Sequence, residues 1–137
     1  MNNELIYLDT NVYMDYFLIR EDKLRPLSDF AFELIRKTMS CEYRIVMSDW
    51  VLFELKKNNI PVGDINCLLK DLKELDKLVK VERGDEDIRK AKTFSNWKDA
   101  LHAILANKSG AVYLVTRNIG DYSGAHNLIK IKLPENL

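Results

Sequence analysis

The sequence predicts an α/β fold, with a parallel sheet of about five strands flanked by helices on both faces. Two observations support this class. Short apolar runs alternate with longer segments of helical periodicity, and the alternation continues along the whole chain. Parallel strands need helical crossovers, which produce this order. The 137 residues contain no repeat or linker, so one domain spanning residues 1–137 is expected.

Five short runs of apolar and β-branched residues have the character of buried strands. They are residues 6–8, 43–47, 79–81, 111–115 and 128–131. The first run leads directly into Asp9 and the fourth into Thr116. Because parallel strands end at the same edge of a sheet, Asp9 and Thr116 are expected to lie at one edge.

Helices are predicted between the strands from apolar spacing and end signals. They cover residues 12–18, 28–35, 50–57, 64–78, 84–94 and 97–109. Ser28 and Asp29 are expected to cap the second helix. Ser48 is expected to cap the third, because its hydroxyl can accept a hydrogen bond from an orphan backbone N–H. Gly110 is expected to end the sixth.

The composition is that of a soluble globular protein without a charge bias. Hydrophobic residues make up 47% and charged residues 31%, and 21 Lys and Arg balance 21 Asp and Glu. Nucleic acid would therefore need a local basic patch. Cys41 and Cys67 form no cluster with histidine, so they are interpreted as ordinary thiols in a reducing cytosol. No signal peptide or membrane span is recognised, so a cytoplasmic location without membrane contact is expected.

Asp9 follows the first predicted strand and faces the start of a helix, where Thr10 and Asn11 suit the first turn. Ligands bind open α/β sheets at this position. On its own, however, Asp9 is explained equally well as a turn or capping residue. Acids elsewhere in the chain must decide between these interpretations.

Glu54 lies in a helix whose neighbouring positions are apolar. A buried carboxylate is costly unless it is paired or bound to a metal ion, so Glu54 is a candidate ligand. The alternative is that it reaches solvent or pairs with a nearby lysine such as Lys57.

Asp99 opens the helix that precedes the fourth strand, and Ala103 and Ala106 share its face. This close-packed face directs Asp99 towards the sheet. The alternative is an acid placed in the first turn by the helix dipole. His102 is interpreted as a core histidine rather than a ligand or base, since no second histidine or cysteine accompanies it.

Several carboxylates at one edge of a sheet raise each other's pKa, and a divalent cation removes this conflict. Oxygen ligands select hard ions such as Mg²⁺ or Mn²⁺. Such a site can activate water for an in-line displacement at phosphorus. The chemistry requires neither histidine nor cysteine, which fits a chain that is poor in both.

These residues together resemble the PIN domain family. The matching segments are residues 8–12 (LDTNV), 48–55 (SDWVLFEL), 99–106 (DALHAILA) and 115–122 (VTRNIGDY). They occur in the family's order and cover essentially the whole chain. The fold implied by the resemblance is a single PIN-like domain.

The resemblance implies an Mg²⁺- or Mn²⁺-dependent ribonuclease, similar to the toxins of prokaryotic VapBC-type toxin–antitoxin pairs. It assigns Asp9, Glu54 and Asp99 as catalytic metal ligands. Thr10 and Asn11 would support the site, and Thr116 would orient a ligand or a phosphate. An RNA substrate, an antitoxin protein and a homodimer are expected on the same basis.

The fourth acid departs from the family pattern. Asn118 stands two residues after Thr116, where the family often carries an acid. Asparagine offers only a neutral oxygen. Asp121, one turn further on, is therefore a candidate fourth metal ligand, or else a cap after Gly120.

Basic and aromatic residues near these acids are candidates for RNA contacts. The basic candidates are Arg20, Lys23, Arg25, Lys56, Lys57 and Arg117, and the aromatic ones are Tyr13, Tyr16 and Phe17. The alternative for each basic residue is a solvated surface charge. For the aromatic residues it is a place in the core.

Three other functions are alternatives to a nuclease. A catalytically weak or inactive PIN-like module that binds RNA or protein would explain Asn118. A haloacid dehalogenase-type hydrolase would need a second aspartate where Asn11 stands. A phospho-receiver would need a lysine after its last strand, but Lys130 lies within the predicted strand.

Overall fold

Within the described residues, the sheet has five strands: β1 (Glu4–Leu8), β2 (Tyr43–Ser48), β3 (Leu78–Val81), β4 (Tyr113–Val115) and β5 (Lys130–Lys132). The computed structural model describes residues 4–18, 26–40 and 42–137. The strands lie in the order β3-β2-β1-β4-β5, and every neighbouring pair is parallel. The predicted α/β class with a parallel sheet is confirmed.

Helices connect the strands in the order expected for a parallel sheet. They are α1 (Thr10–Leu18), α2 (Leu27–Met39), α3 (Asp49–Lys57), α4 (Val62–Glu74), α5 (Asp85–Ala91) and α6 (Trp97–Ser109). Short 3-10 helices follow at Ile119–Tyr122 and Pro134–Asn136. Within the described part of the chain, no helix combines the length and apolar character needed to cross a bilayer.

The central strand β1 is buried on both faces. Ile6, Tyr7 and Leu8 are each 0% exposed. Because side chains alternate along a strand, Tyr7 points to one face of the sheet, and Ile6 and Leu8 point to the other. Tyr7 hydrogen-bonds His102 of α6, which places α6 on the first face. Burial of the opposite side chains requires packed helices there as well.

The strand order reverses at β1, since β2 and β3 lie on one side of it and β4 and β5 on the other. Open α/β sheets bind ligands at such a point, beyond the carboxyl ends of the strands. Asp9 follows β1, and its backbone N–H donates to the carbonyl of Val115 at 2.9 Å. Thr116 follows Val115 directly. The two predicted site residues therefore flank the switch point.

The predicted end of α4 at residue 78 is wrong. The helix ends at Glu74, because Asp76 adopts the left-handed conformation with φ 57°. The N–H of Lys77 then returns to the carbonyl of Leu72 at 2.8 Å, which closes the last turn. Leu78 is thereby released into β3.

The predicted cap at Ser28 and Asp29 is also wrong. α2 begins at Leu27, and Pro26 in the capping position makes no side-chain cap. The hydroxyl of Ser28 instead donates to the carbonyl of Asp15 at 2.7 Å, which links α2 to α1. The Ser28 hydroxyl therefore makes a tertiary hydrogen bond instead of the helix cap that the sequence pattern predicted.

Candidate metal centre

The carboxylate of Asp9 is buried and fixed by four donors. One oxygen, Oδ1, accepts the backbone N–H of Thr10 at 2.6 Å. The other, Oδ2, accepts the hydroxyls of Thr116 and Tyr122, both at 2.9 Å. The side-chain amide of Asn11 donates to Oδ2 at 3.3 Å. A carboxylate with this many donors has a defined orientation towards the carboxyl edge of the sheet.

Asn11 and Thr116 are joined to each other as well as to Asp9. The amide of Asn11 donates to Thr116 Oγ1 at 3.1 Å, and its oxygen accepts the backbone N–H of Arg117 at 3.4 Å. The backbone N–H of Asn118 donates to Thr116 Oγ1 at 3.2 Å. These bonds hold the loop after β4 against the start of α1.

Glu54 on α3 lies half-buried beside Asp9. Its Oε1 accepts the hydroxyl of Thr10 at 2.7 Å and bonds Nε2 of His102 at 2.6 Å. Burial alone would raise the pKa of Glu54, but these bonds and the nearby charge of Lys98 lower it overall. The structure thus pairs Glu54 with site residues, whereas the alternative partner Lys57 is exposed.

His102 is fully buried on α6, and both of its ring nitrogens are bonded. Nδ1 lies 2.7 Å from the hydroxyl of Tyr7, and Nε2 bonds Glu54 and lies 3.6 Å from Asp9 Oδ1. Burial disfavours the imidazolium, yet the Asp9 and Glu54 carboxylates outweigh it and raise the pKa of His102. The predicted burial of His102 is confirmed, but the residue lies among the site acids rather than apart from them. The sequence interpretation did not predict its contact with the acids. The position of His102 one helical turn after Asp99 was the sequence feature that could have indicated this contact.

A hydrogen-bond chain runs from the cap of α3 to Glu54. The Ser48 hydroxyl accepts the N–H of Val51 at 3.0 Å, which confirms the predicted cap, and lies 2.7 Å from the Tyr7 hydroxyl. In neutral His102, Nε2–H donates to Glu54, so Nδ1 accepts from Tyr7 and Ser48 donates to Tyr7. The chain therefore orients Glu54 from the interior of the protein.

Asp99 is half-buried at the start of α6. Burial, followed by the charges of Asp9, Asp121 and Glu54, raises its pKa to about 6, against the opposing effect of His102. Burial and the neighbouring acids thus outweigh the favourable charge of His102. Asp99 therefore shares the electrostatic environment of Asp9 and Glu54.

Asp121 and Asn118 lie at the periphery. Both are exposed, and Asp121 belongs to the 3-10 helix Ile119–Tyr122, where its backbone carbonyl accepts the amide of Asn96 at 3.3 Å. The charge of Asp121 still contributes to the raised pKa of Asp99. The sequence did not predict the role of Tyr122, the last residue of this 3-10 helix, as a donor to Asp9.

The donor set fits a hard divalent cation. In the described ranges, Asp9, Glu54 and His102 each offer a ligand atom, and these atoms lie within 4.8 Å of one another. Asp99 and Asp121 lie outside this group of three. Carboxylate oxygens suit Mg²⁺ or Mn²⁺, whereas Nε2 of His102 is already bonded to Glu54. The residues present can therefore hold such an ion.

The residues predicted to contact RNA differ in their exposure to solvent. Lys56 and Lys57 are exposed at the end of α3. Nε of Arg117 lies 3.6 Å from a carboxylate oxygen of buried Asp15, so Arg117 is directed inward. Tyr13 is fully buried, and Tyr16 and Phe17 are partly buried. Arg20, Lys23 and Arg25 lie outside the described residues.

The fold and the acids at its switch point define a class, an α/β protein with a five-stranded parallel sheet and a candidate metal centre. A solved structure with this fold is the crystal structure of VapBC2 from Rickettsia felis bound to a DNA fragment from their promoter. One of its chains aligns with a TM-score of 0.60 and 20% identity, over 94% of this chain and 98% of that chain. At this identity the likeness shows the fold alone. No family model and no curated protein matches the sequence.

Proposed function

We propose that this protein is an Mg²⁺- or Mn²⁺-dependent ribonuclease of the PIN class. The observation that carries the proposal is the convergence of Asp9 and Glu54, from different elements, at the switch point of a PIN-like sheet. The pKa of Asp99, raised by burial and then by the neighbouring carboxylates, supports it, because a nearby divalent cation would stabilise the ionised carboxyl against both effects.

In the proposed site, Asp9, Glu54 and Asp99 supply carboxylates to the ion. Thr10 and His102 hold the orientation of Glu54 through bonds of 2.7 and 2.6 Å. When bound, a divalent ion supplies an activated water at neutral pH and neutralises charge on the phosphate. The fixed orientation of the protein groups reduces the reorganisation that the reaction requires.

Asp121 and Thr116 have supporting roles in this proposal. Asp121, exposed near Asp99, would supply a further carboxylate through water. Thr116 is buried at the start of the loop after β4 and donates to Asp9 at 2.9 Å, so it would orient this metal ligand. Asn118 offers no negative charge, so the proposed site depends chiefly on three acids.

The proposal includes the role of toxin in a VapBC-type toxin–antitoxin pair, with an antitoxin as protein partner. The support is the fold likeness to a chain of the VapBC2 crystal structure, which extends over nearly the full length of both chains. The homodimer and the cytoplasmic location stay predictions. The second candidate is an inactive PIN-like module that binds RNA or protein, favoured by the neutral side chain of Asn118.

The experiment is RNA cleavage with added Mg²⁺ or Mn²⁺ by the wild-type chain, Asp9→Asn and Asp29→Asn. Cleavage by the wild type is expected to require the metal and to be lost in Asp9→Asn. Asp29 is exposed on α2, so Asp29→Asn is a matched control that should cleave normally. Circular dichroism checks that all three chains fold. Equal cleavage by Asp9→Asn and the wild type would exclude this active site, and metal binding without cleavage would favour the inactive module.

A further inference from the structure

A surface of exposed aromatic rings and cationic side chains lies beside the candidate metal centre. It is formed by the rings of Phe53 and Trp97, the buried ring of Trp50, and the charges of Arg83, Lys92 and Lys98. We call it the aromatic–cationic surface. None of the sequence-predicted RNA contacts belongs to it.

Trp50 is the buried base of this surface. Its ring lies parallel to that of Phe53, with an interplanar angle of 8° and a centroid distance of 5.5 Å. The centroid of the Trp97 ring lies 5.8 Å from that of the Trp50 ring. Trp50 is 5% exposed, whereas Phe53 is 46% exposed and Trp97 partly exposed. Two rings supported from beneath are thus presented to solvent.

Three cationic groups accompany these rings. The guanidinium of Arg83 lies 5.0 Å from the Trp50 ring and 5.5 Å from that of Phe53. Its Nε is held by Asp49 at 3.1 Å, which fixes its position. The ammonium groups of Lys92 and Lys98 lie 5.4 and 6.0 Å from the Trp97 ring. Both lysines are exposed, so two solvent-accessible cations lie beside the Trp97 ring.

The surface is continuous with the candidate metal centre. Phe53 directly precedes Glu54 on α3, and Trp97, Lys98 and Asp99 line one open pocket with Ser95 and Asn96. The Trp50 ring also lies 6.0 Å from that of His102. An extended polymer bound across the rings would therefore reach the acids of the candidate metal centre.

We propose that the aromatic–cationic surface binds single-stranded RNA, with bases stacked on Phe53 and Trp97 and phosphates on Arg83, Lys92 and Lys98. The choice of RNA rests on the proposed function. The binding mode rests on chemistry: exposed rings accept the faces of unpaired bases, and flanking cations neutralise phosphates. A second copy of the chain is the competing occupant. It would cover apolar rings but would also place the exposed ammonium groups of Lys92 and Lys98 in the contact.

The test uses the protein's own fluorescence. The chain has two tryptophans, Trp50 and Trp97, and both lie in this surface. A mixed-sequence single-stranded RNA is titrated into the full chain in EDTA, so that binding is measured without metal-dependent cleavage. Quenching of tryptophan fluorescence is expected. Phe53→Ala should weaken binding about tenfold, the loss of one stacked base. Phe32→Ala removes an exposed ring on α2 and should leave binding unchanged.

The salt dependence of binding tests the cations. Three phosphate contacts predict that log K falls with log salt with a slope of about −2. Lys98→Gln should reduce the magnitude of the slope by about 0.7. Lys73→Gln, which changes an exposed lysine on α4, should not alter it.

Equal RNA affinity in Phe53→Ala and the wild type would overturn the proposal. If light scattering then also shows that Phe53→Ala converts a wild-type dimer to a monomer, the surface is a contact between copies. Because binding is measured in EDTA, a failure of cleavage with quenching retained counts against the nuclease activity alone.

Discussion

The hydroxyl of Tyr7 links the interior of the protein to its candidate site. It lies 2.7 Å from both Ser48 Oγ and His102 Nδ1, in a position fully hidden from solvent. Tyr13 is equally buried, but its hydroxyl has no hydrogen-bond partner among the described residues. These two tyrosines differ mainly in what their hydroxyls contact.

Tyr7→Phe is expected to lower the free energy of unfolding by about 2 kcal/mol, because a buried partner loses its hydrogen bond. Tyr13→Phe is the matched control and should be neutral or slightly stabilising, since it removes a buried hydroxyl without a partner. Urea denaturation of both variants measures the difference. Equal losses in the two would contradict the hydrogen-bond chain.

The raised pKa of Asp99 predicts that Mn²⁺ affinity depends on pH. Above about pH 6 the Asp99 carboxyl is ionised and ready for a cation, whereas below it a proton must leave first. Affinity is therefore expected to fall about tenfold between neutral pH and about pH 5. Protonation of His102 acts with the same sign.

Calorimetric titrations at several pH values test this expectation. Asp99→Asn serves as the comparison, because it removes the proton that competes at this position but leaves His102 in place. The variant should bind Mn²⁺ more weakly and with a shallower pH dependence. An unchanged slope in Asp99→Asn would show that Asp99 is not the group responsible.

For single residues, the sequence identified the acids but not the residues that contact them. Asp9 and Glu54 were recognisable as candidate ligands because each has a distinct local setting, a strand end or an apolar helix. The contacts of His102 and Tyr122 were not predictable. They depend on how α6 and the loop after β4 pack onto β1, which residue spacing within one element does not specify.

Among the secondary-structure elements, one helix end was predicted correctly and another was missed. The predicted end of α6 at Gly110 is confirmed, with φ 83°, a conformation that glycine adopts without strain. The end of α4 was missed because Asp76 takes the left-handed conformation, which is uncommon for a residue with a side chain. A glycine that ends a helix can be recognised in the sequence, whereas an aspartate that ends a helix cannot be told apart from other aspartates.

Gly110→Ala should destabilise the fold by about 1 kcal/mol, because an alanine side chain is strained at positive φ even though the space around it is open. Gly63→Ala is the control at an equally open position inside α4, and it should stabilise by about 0.5 kcal/mol. Thermal or urea unfolding compares the two. Similar effects of both substitutions would contradict the assigned backbone conformation.

Across the whole molecule, the alternation of strands and helices predicted the parallel sheet, but not the strand order. The order β3-β2-β1-β4-β5 places β1 at the switch point and so brings Asp9 beside the loop that carries Thr116. The aromatic–cationic surface was also beyond prediction. Its rings come from α3 and α6, which meet only in the folded chain.

The central claim is that the acids at the switch point form one divalent-cation site. Calorimetric titration of Mn²⁺ into the wild-type chain and Asp9→Asn at neutral pH tests it most directly, with Asp29→Asn as the control for a lost surface charge. The wild type and Asp29→Asn should bind Mn²⁺ alike, and Asp9→Asn should bind at least about tenfold more weakly. Equal Mn²⁺ affinity in all three chains, or no binding to the wild type, would contradict the claim.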